Sequence, residues 1–461
     1  MAEQGLDTRH DHIILPFRRK LSYGVGGLGD SVVANGIIQA GTLYTLALKM
    51  NMTTIGTLMV IPRLWDAVTD PFMGNLSDNT RTRWGRRRPY VLFGGLATAL
   101  MFFLTVSPPA FLQEKGLLAY FFVFCMLYFT AYTVFSVAFS GLGLEMSTEY
   151  HERTRVMGFR AFFTAIGGMV AGAAMWITFR PIWSPRVGMS IMGLAFGGLA
   201  VASFIMAALG TREIGEVQKQ EKVGIFRALK YTMTNKQFLL LVSALALYVL
   251  GLYVTIPLYQ VLNSYYVCGG DMEAASKIEL YKHTIYSVLM LGAIAPITWV
   301  GTKLGKQKTL SLCLLFGIVG TGSTWFLFTP DLAYLQLLNP IILAFSLPAV
   351  QVFPMSIMAD ICDLDELKTG LRREGMYGAS FGFVIKLVLS FVLYLSGRAL
   401  DFAGIDQNLD VQAPEALFRL RLMAVIVPVT LLAASGVLLF KLNVPEAKVR
   451  EVRRVLEDRR T

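Results

Sequence analysis

Runs of about 20 or more mostly apolar residues alternate with short polar connections along the chain. They fall at approximately 21–48, 54–77, 89–107, 116–144, 156–178, 188–208, 236–266, 277–302, 308–328, 332–359, 373–399 and 417–441. A helix needs about 20 apolar residues to cross the hydrocarbon core of a bilayer, so the pattern predicts an all-α integral membrane protein with twelve transmembrane helices. The longest internal polar stretch, Thr211 to about Asn235, follows the sixth run and divides the set six and six. Two pseudo-symmetric six-helix halves meeting around a midplane cavity are therefore expected. The predicted segments are a tail over 1–20, an N-terminal half over 21–208, a linker over 209–235, a C-terminal half over 236–441 and a tail over 442–461.

Composition agrees with this pattern, since 54% of the 461 residues are hydrophobic and only 16% charged, against about 25% charged in soluble domains. The net charge of +11 lies in short loops: Arg81, Arg83 and Arg86 to Arg88 after the second run, Arg153 and Arg155 after the fourth, and Lys303, Lys306 and Lys308 after the eighth. Positive loops stay in the cytoplasm, so both termini are expected there, and the same distribution argues against nucleic acid as a partner. Cys125, Cys268, Cys313 and Cys362 are too scattered for a disulfide framework or a zinc site. No GxxxxGK[ST] motif is present, which argues against ATP-driven transport by this chain alone. The polar stretch from Met1 to Lys20 predicts no cleavable signal peptide. Gly24, Gly26, Gly27 and Gly29 lie inside the first run, where small residues let helices approach closely.

The second run contains Arg63, Asp66 and Asp70. Each charge at membrane depth costs about 2.5–3.5 kcal/mol even on lenient insertion scales, so these side chains must face protein or a watery cavity. Asp66 and Asp70, four apart, share one helix face, with Arg63 one turn before Asp66. Two carboxylates in a low dielectric either share a proton or recruit a cation, and Thr69 between them adds oxygen ligands suited to a hard monovalent ion. The competing reading is that Arg63 simply neutralises Asp66. Lys386, deep in the eleventh run, needs an anionic partner, either that carboxylate pair or an acidic group on a substrate. Asp30, with Ser31 and Asn35 nearby, and Arg160 are further candidates for the cavity wall. Tyr128, Tyr132, Thr133, Ser136, Ser140, Tyr253, Gln260, Asn263 and Gln351 are polar or aromatic at membrane depth and suited to a sugar, or to holding helices together. The mixed-sign stretch Asp360, Asp363, Asp365, Glu366, Arg372, Arg373 and Glu374 is expected as a cytoplasmic loop that can pair with Arg81 and Arg86 as an inner gate. His10, His12, His151 and His283 lie beside no Ser or Cys partner, so no enzyme is indicated and no cofactor is expected.

Three stretches carry a family resemblance over nearly the whole chain: Leu21-Ser-Tyr-Gly-Val-Gly; Trp65-Asp66-Ala-Val-Thr-Asp70-Pro71-Phe-Met-Gly74 running into Arg81-Thr-Arg83-Trp84-Gly85-Arg86; and Ala359-Asp360 with Asp363, Glu366, Arg372 and Glu374. The chain resembles the glycoside–pentoside–hexuronide:cation symporters, the melibiose-permease branch of the major facilitator superfamily. The resemblance implies that Asp66 and Asp70 bind the coupling Na⁺, H⁺ or Li⁺, that Thr133 helps ligate it, and that Lys386 lies near the same site. It also marks a departure, because Ser31 and Ser136 stand where melibiose-type members have carboxylates, and Ser140 and Gln351 where they have tryptophans, while Arg160 matches a family arginine. A less negative cavity tilts the expectation from a neutral galactoside towards an anionic sugar, such as a hexuronide or sulfonated sugar. The expectation is a bacterial inner-membrane symporter, functional as a monomer and working by alternating access. The sodium-dependent lysophospholipid carriers of this branch and a non-transporting membrane receptor are the alternatives.

Overall fold

The computed structural model describes residues 15–147, 150–213, 231–369, 373–444, 449, 451–452 and 454–455. Most of the predicted linker 209–235 and much of both tails lie outside them. The described residues form α1 (Phe17–Leu48), α2 (Met52–Asn79), α3 (Arg88–Val106), α4 (Glu114–Glu145), α5 (Tyr150–Ala171), α6 (Ala173–Thr178) and α7 (Pro185–Gly210) in the first half of the chain. The second half contains α8 (Lys236–Leu262), α9 (Met272–Leu304), α10 (Lys306–Leu327), α11 (Asn339–Leu343), α12 (Leu347–Thr369), α13 (Glu374–Ser390), α14 (Val392–Ala403) and α15 (Pro414–Lys441). Among the described residues, eleven helical segments are long and apolar enough to cross a membrane. The twelfth is α2, whose interior carries Arg63, Asp66 and Asp70.

Among the described residues, four of the expected runs are interrupted. Span five is split at Gly172 between α5 and α6, and span seven ends in a π-helical turn at Asn263–Val267 after α8. Span ten is a 3-10 stretch, Pro330–Leu338, followed by α11 and α12, with a break over 344–346. Span eleven is split at Phe391 between α13 and α14. α12 continues to Thr369, so Asp360, Asp363 and Glu366, expected in a loop, sit on its last turns. Their spacing of three keeps them on related faces of one helix, and a helix already bonded through its apolar part continues through aspartates of modest propensity because the next turn needs no new nucleus.

The glycines of α1 explain its central packing. A Cβ on Gly24 would meet the Phe163 ring at 2.8 Å, and one on Gly27 would meet Arg160 at 3.0 Å. α5 therefore lies directly on α1, as small-residue interfaces in membranes allow. Gly29 gives α7 the same access through Ser203, at 2.7 Å.

Call the end of the bundle where α1 begins and α15 finishes the terminal face. At the opposite face the two halves touch closely: Gly56 of α2 lies against Leu393 and Tyr394, and Gly397 of α14 lies against Met52 and Thr53. Asp401 accepts hydrogen bonds there from Asn51 at 3.0 Å and Thr53 at 2.6 Å, and Lys49 reaches Asp410 at 2.9 Å. On the terminal face three ion pairs between described residues stay within a half. Arg86 and Arg87 both reach Glu145 at 2.7 Å, and Lys306 reaches Asp360 at 2.6 Å. The inner gate expected from Arg86 and Asp360 is thus not formed by those two residues, each of which is engaged beside its own helices. Arg81 is exposed. Asp363 is buried, and Glu366 is also engaged. Arg372 and the side chain of Glu374 lie outside the described residues.

Candidate functional site

The rise of an α-helix, about 1.5 Å per residue, puts Asp66 roughly 20 Å from either end of the 28-residue α2. That is the middle of a bilayer. Asp66 is 5% exposed, and its two oxygens are both engaged. Oδ1 accepts the hydroxyl of Thr133 on α4, and Oδ2 accepts the Lys386 ammonium of α13 at 2.7 Å. The same ammonium also donates to Asp70 Oδ2. Thr69 Oγ1 stands 3.3 Å from Thr133 Oγ1 and donates to the Trp65 carbonyl at 2.9 Å. The remaining oxygen of the pair, Asp70 Oδ1, is buried and accepts no hydrogen bond among the described residues.

Two carboxylates and one ammonium carry a net charge of −1. A buried acceptor without a partner costs about 1–3 kcal/mol, so a cation or proton at Asp70 Oδ1 relieves both the charge and the orphaned oxygen. The donors are all oxygens, as a hard monovalent ion requires. Among the described residues there is no cluster of three or more His, Cys, Asp or Glu side chains able to hold a metal, so nothing here has the character of a transition-metal centre.

Adjacent residues of α4 connect this cluster to a second one. Thr133 holds Asp66, while Tyr132 donates to Asp30 Oδ1 at 2.9 Å. Asp30 Oδ2 pairs with Arg160 at 3.3 Å. Arg160 lies 5.0 Å above the Phe139 ring, and donates to Tyr23 at 3.4 Å and Ser140 at 3.5 Å. Lys386 meets the carboxylate pair, one of the two partners expected for it, and Arg160 is likewise paired with a protein carboxylate.

Arg63 is in the opposite situation. It was offered as the neutraliser of Asp66, yet among the described residues it makes no ion pair, and its guanidinium lies over the Phe129 ring at 5.3 Å. Lys386 takes the place at Asp66 because it approaches from another helix and reaches both carboxylates at once. Arg63 instead lines a narrow cleft between the halves, facing Tyr253, Ser390, Met59 and Leu389. Six charged side chains thus meet near the midplane, three acidic (Asp30, Asp66, Asp70) and three basic (Arg63, Arg160, Lys386).

The other candidates are dispersed. Asn35 donates to the Ser31 carbonyl at 2.8 Å and to its hydroxyl at 3.2 Å, a contact within α1. Ser136 is half-buried one turn beyond Tyr132, on the same face. Gln351 is exposed on α12 and bonds none of the other candidates. Gln260 is buried and donates to Gln39 at 2.6 Å, and Gln39 stands 3.4 Å from His283 Nε2. This chain of two amides and an imidazole joins α1, α8 and α9 across the halves, and Gln260 Oε1 is left buried without a partner among the described residues.

Sequence reasoning singled out Asn263 but missed the buried ion pair beside it. Glu279, 3% exposed, accepts from Lys282 at 2.7 Å and Asn263 at 3.2 Å, and Gln336 donates to Asn263 at 2.8 Å. The i, i+3 spacing of Glu279 and Lys282 was the available signal, but it looks the same on an exposed helix end.

Two apposed halves, each of six spans, with a cluster of charged side chains near the midplane between them, define a membrane carrier of the major facilitator fold. The chain belongs to the MFS/sugar transport protein family, whose profile matches residues 22–446. It is 26% identical over 434 residues to the uncharacterized symporter YnaJ of Bacillus subtilis (strain 168), covering 90% of this chain and 89% of that one. The sodium-dependent lysophosphatidylcholine symporter 1 of Gallus gallus is 26% identical over 489 residues, 96% of this chain and 89% of the relative. The isoprimeverose transporter of Lactiplantibacillus pentosus is 22% identical over 468 residues, 97% and 93% respectively. Among solved structures, a bacterial homologue of the human lysosomal transporter Spinster, inward-facing and unoccupied, superposes with a TM-score of 0.65 at 13% identity, covering 92% of this chain and 95% of that one. The expected fold class and family are thereby established, and the expectation of a carrier rather than an enzyme agrees with them.

Proposed function

We propose that the protein is a symporter that couples a monovalent cation, Na⁺ or H⁺, to uptake of a sugar or glycoside bearing a negative charge, across a bacterial inner membrane with both termini cytoplasmic. The observation that carries this reading is the Asp66–Asp70–Lys386 cluster, with its net charge of −1 and the unpartnered Asp70 Oδ1. The cation enters at Asp66 and Asp70 with help from Thr133 and Thr69. With the three acidic and three basic midplane groups in balance, loading one cation leaves the cavity at +1. A singly charged substrate restores neutrality, and Arg63 is the guanidinium free to receive it. Co-loading is then electrostatically preferred to loading either alone, which is the condition for coupled transport. With the terminal face taken as cytoplasmic, the tight contacts at Gly56, Gly397 and Asp401 close the outer side.

The test is transport in proteoliposomes by the native chain and by Asp70→Asn. Loss of cation-driven accumulation in the variant supports the assignment, and undiminished uphill uptake refutes it. A second reading, uptake of a lysophospholipid, is favoured by the apolar walls around Arg63, namely Ile38, Met59, Leu389, Val392 and Leu393. A thermal-shift panel of neutral sugars, uronates, sulfonated sugars and lysophosphatidylcholine, each with Na⁺ or Li⁺, separates the two, because a bound ligand stabilises the folded state.

A further inference from the structure

The outer wall of the N-terminal half contains a groove of about 470 Å³ between α3 and α4. Phe93 and Ala97 of α3 and Ala131 and Val134 of α4 are among its walls, and Thr80 and Thr82 stand at its mouth on the terminal face. The loop over that mouth carries five arginines, which divide into two groups. Arg86 is held by Glu145 at 2.7 Å, Arg87 by Asp78 at 2.7 Å, and Arg88 by the Ala208 carbonyl at 2.7 Å. Glu213 fixes the backbone of the same three residues, accepting their N–H groups at 2.7, 2.8 and 3.1 Å. Arg81 and Arg83 are exposed, and among the described residues neither makes a hydrogen bond or ion pair. Beside them Trp84 and Phe93 stack at 6.5 Å, although 51% and 62% exposed.

We propose that this groove seats an anionic phospholipid of the leaflet on the terminal face. An apolar trough whose lining residues Thr80 and Thr82 alternate in the chain with the free Arg81 and Arg83 matches a molecule with an acyl chain and a phosphate joined end to end. Paired N–H donors of arginine suit phosphate oxygens, and basic pockets between spans on this side bind anionic headgroups. An exposed tryptophan stacked on a phenylalanine fits the boundary between headgroup and hydrocarbon, where its ring is half wetted. Free inorganic phosphate satisfies the arginines but leaves the trough unfilled. The seat lies at the terminal-face end of α2, the helix that carries Asp66 and Asp70.

The test uses the full-length protein in phosphatidylcholine vesicles containing a minor fraction of brominated phosphatidylglycerol or, in parallel, brominated phosphatidylcholine. Bromine quenches tryptophan on contact, and subtraction of a Trp84→Phe variant isolates the Trp84 signal. The expected result is a phosphatidylglycerol enrichment at Trp84 of roughly fivefold or more over phosphatidylcholine, from two arginines near one headgroup. Arg81→Gln with Arg83→Gln should abolish the enrichment, and Ala97→Phe, which fills the trough, should reduce it with both arginines in place. Lys303→Gln, an exposed charge on the same face but in the other half, should leave it unchanged. Equal quenching by the two lipids overturns the proposal. So does an enrichment that survives the arginine changes, or one that Lys303→Gln removes equally well, since that reports general surface charge. Full enrichment in Ala97→Phe overturns the part played by the trough.

Discussion

The hydroxyl of Thr53, at the start of α2, donates a 2.6 Å hydrogen bond to Oδ2 of Asp401 near the end of α14, tying the helix of the carboxylate pair to the other half of the molecule. Asp401→Ala removes this bond and the one from Asn51. Hydrogen bonds to charged groups contribute about 1.5–3 kcal/mol when sheltered, and Asp401 is part-exposed, so roughly 1–2 kcal/mol, or a 5- to 30-fold change in population, is expected. A cysteine placed at Ile38 in a chain lacking the four native cysteines should then react faster with an impermeant maleimide added from the face opposite the termini. Lys49→Gln, which breaks an exposed pair with Asp410, should change that rate little.

Arg63→Gln should raise the KM for an anionic substrate at least about tenfold, the loss of one charge-assisted contact, while leaving uptake of a neutral analogue unaffected. Arg63→Lys should recover part of the loss, because it keeps the charge but not the planar pair of donors. Uptake kinetics in proteoliposomes decide it, and equal losses for both substrates would point to a purely structural arginine.

Lys386→Gln leaves Asp66 and Asp70 facing each other without their shared ammonium. Like charges held together raise each other's affinity for a proton or another cation. Thermal stability of the variant should therefore depend on added Na⁺ more than that of the native chain. The Na⁺ effect should shrink as pH falls, because protons then occupy the same carboxylates. A melting temperature insensitive to Na⁺ across pH would contradict this.

Lys282→Met should destabilise the protein by about 3–5 kcal/mol, the cost of leaving a buried Glu279 without its cation. Replacing both, Glu279→Gln with Lys282→Met, should cost less than the single change, because no charge is then stranded. Unfolding of purified protein followed by thermal shift measures both.

Most of the architecture was legible because bilayers impose a length on apolar runs. Predicted runs such as 54–77 and 417–441 match α2 and α15 to within about three residues at each end. The carboxylate pair was legible for the same reason, since charge stands out against twenty apolar neighbours. Lys386 was legible as a partner of that pair, one of the two anions expected for it; the competing contact, Arg63 with Asp66, is the one that does not form. In space the lysine reaches both acids, leaving the arginine in a cleft. The placement of Asp360, Asp363 and Glu366 in a loop failed because helices end by capping and breakers rather than by polarity alone.

Sequence alone determined the number of spans, the division into two halves, and the presence of costly charges at the midplane, all consequences of a solvent that accepts no unpaired polar group. Tertiary structure decided which of those charges cancel. Arg160 and Lys386 are satisfied, while Arg63 and one oxygen of Asp70 are not, because pairing depends on helices brought together across the fold from opposite ends of the chain.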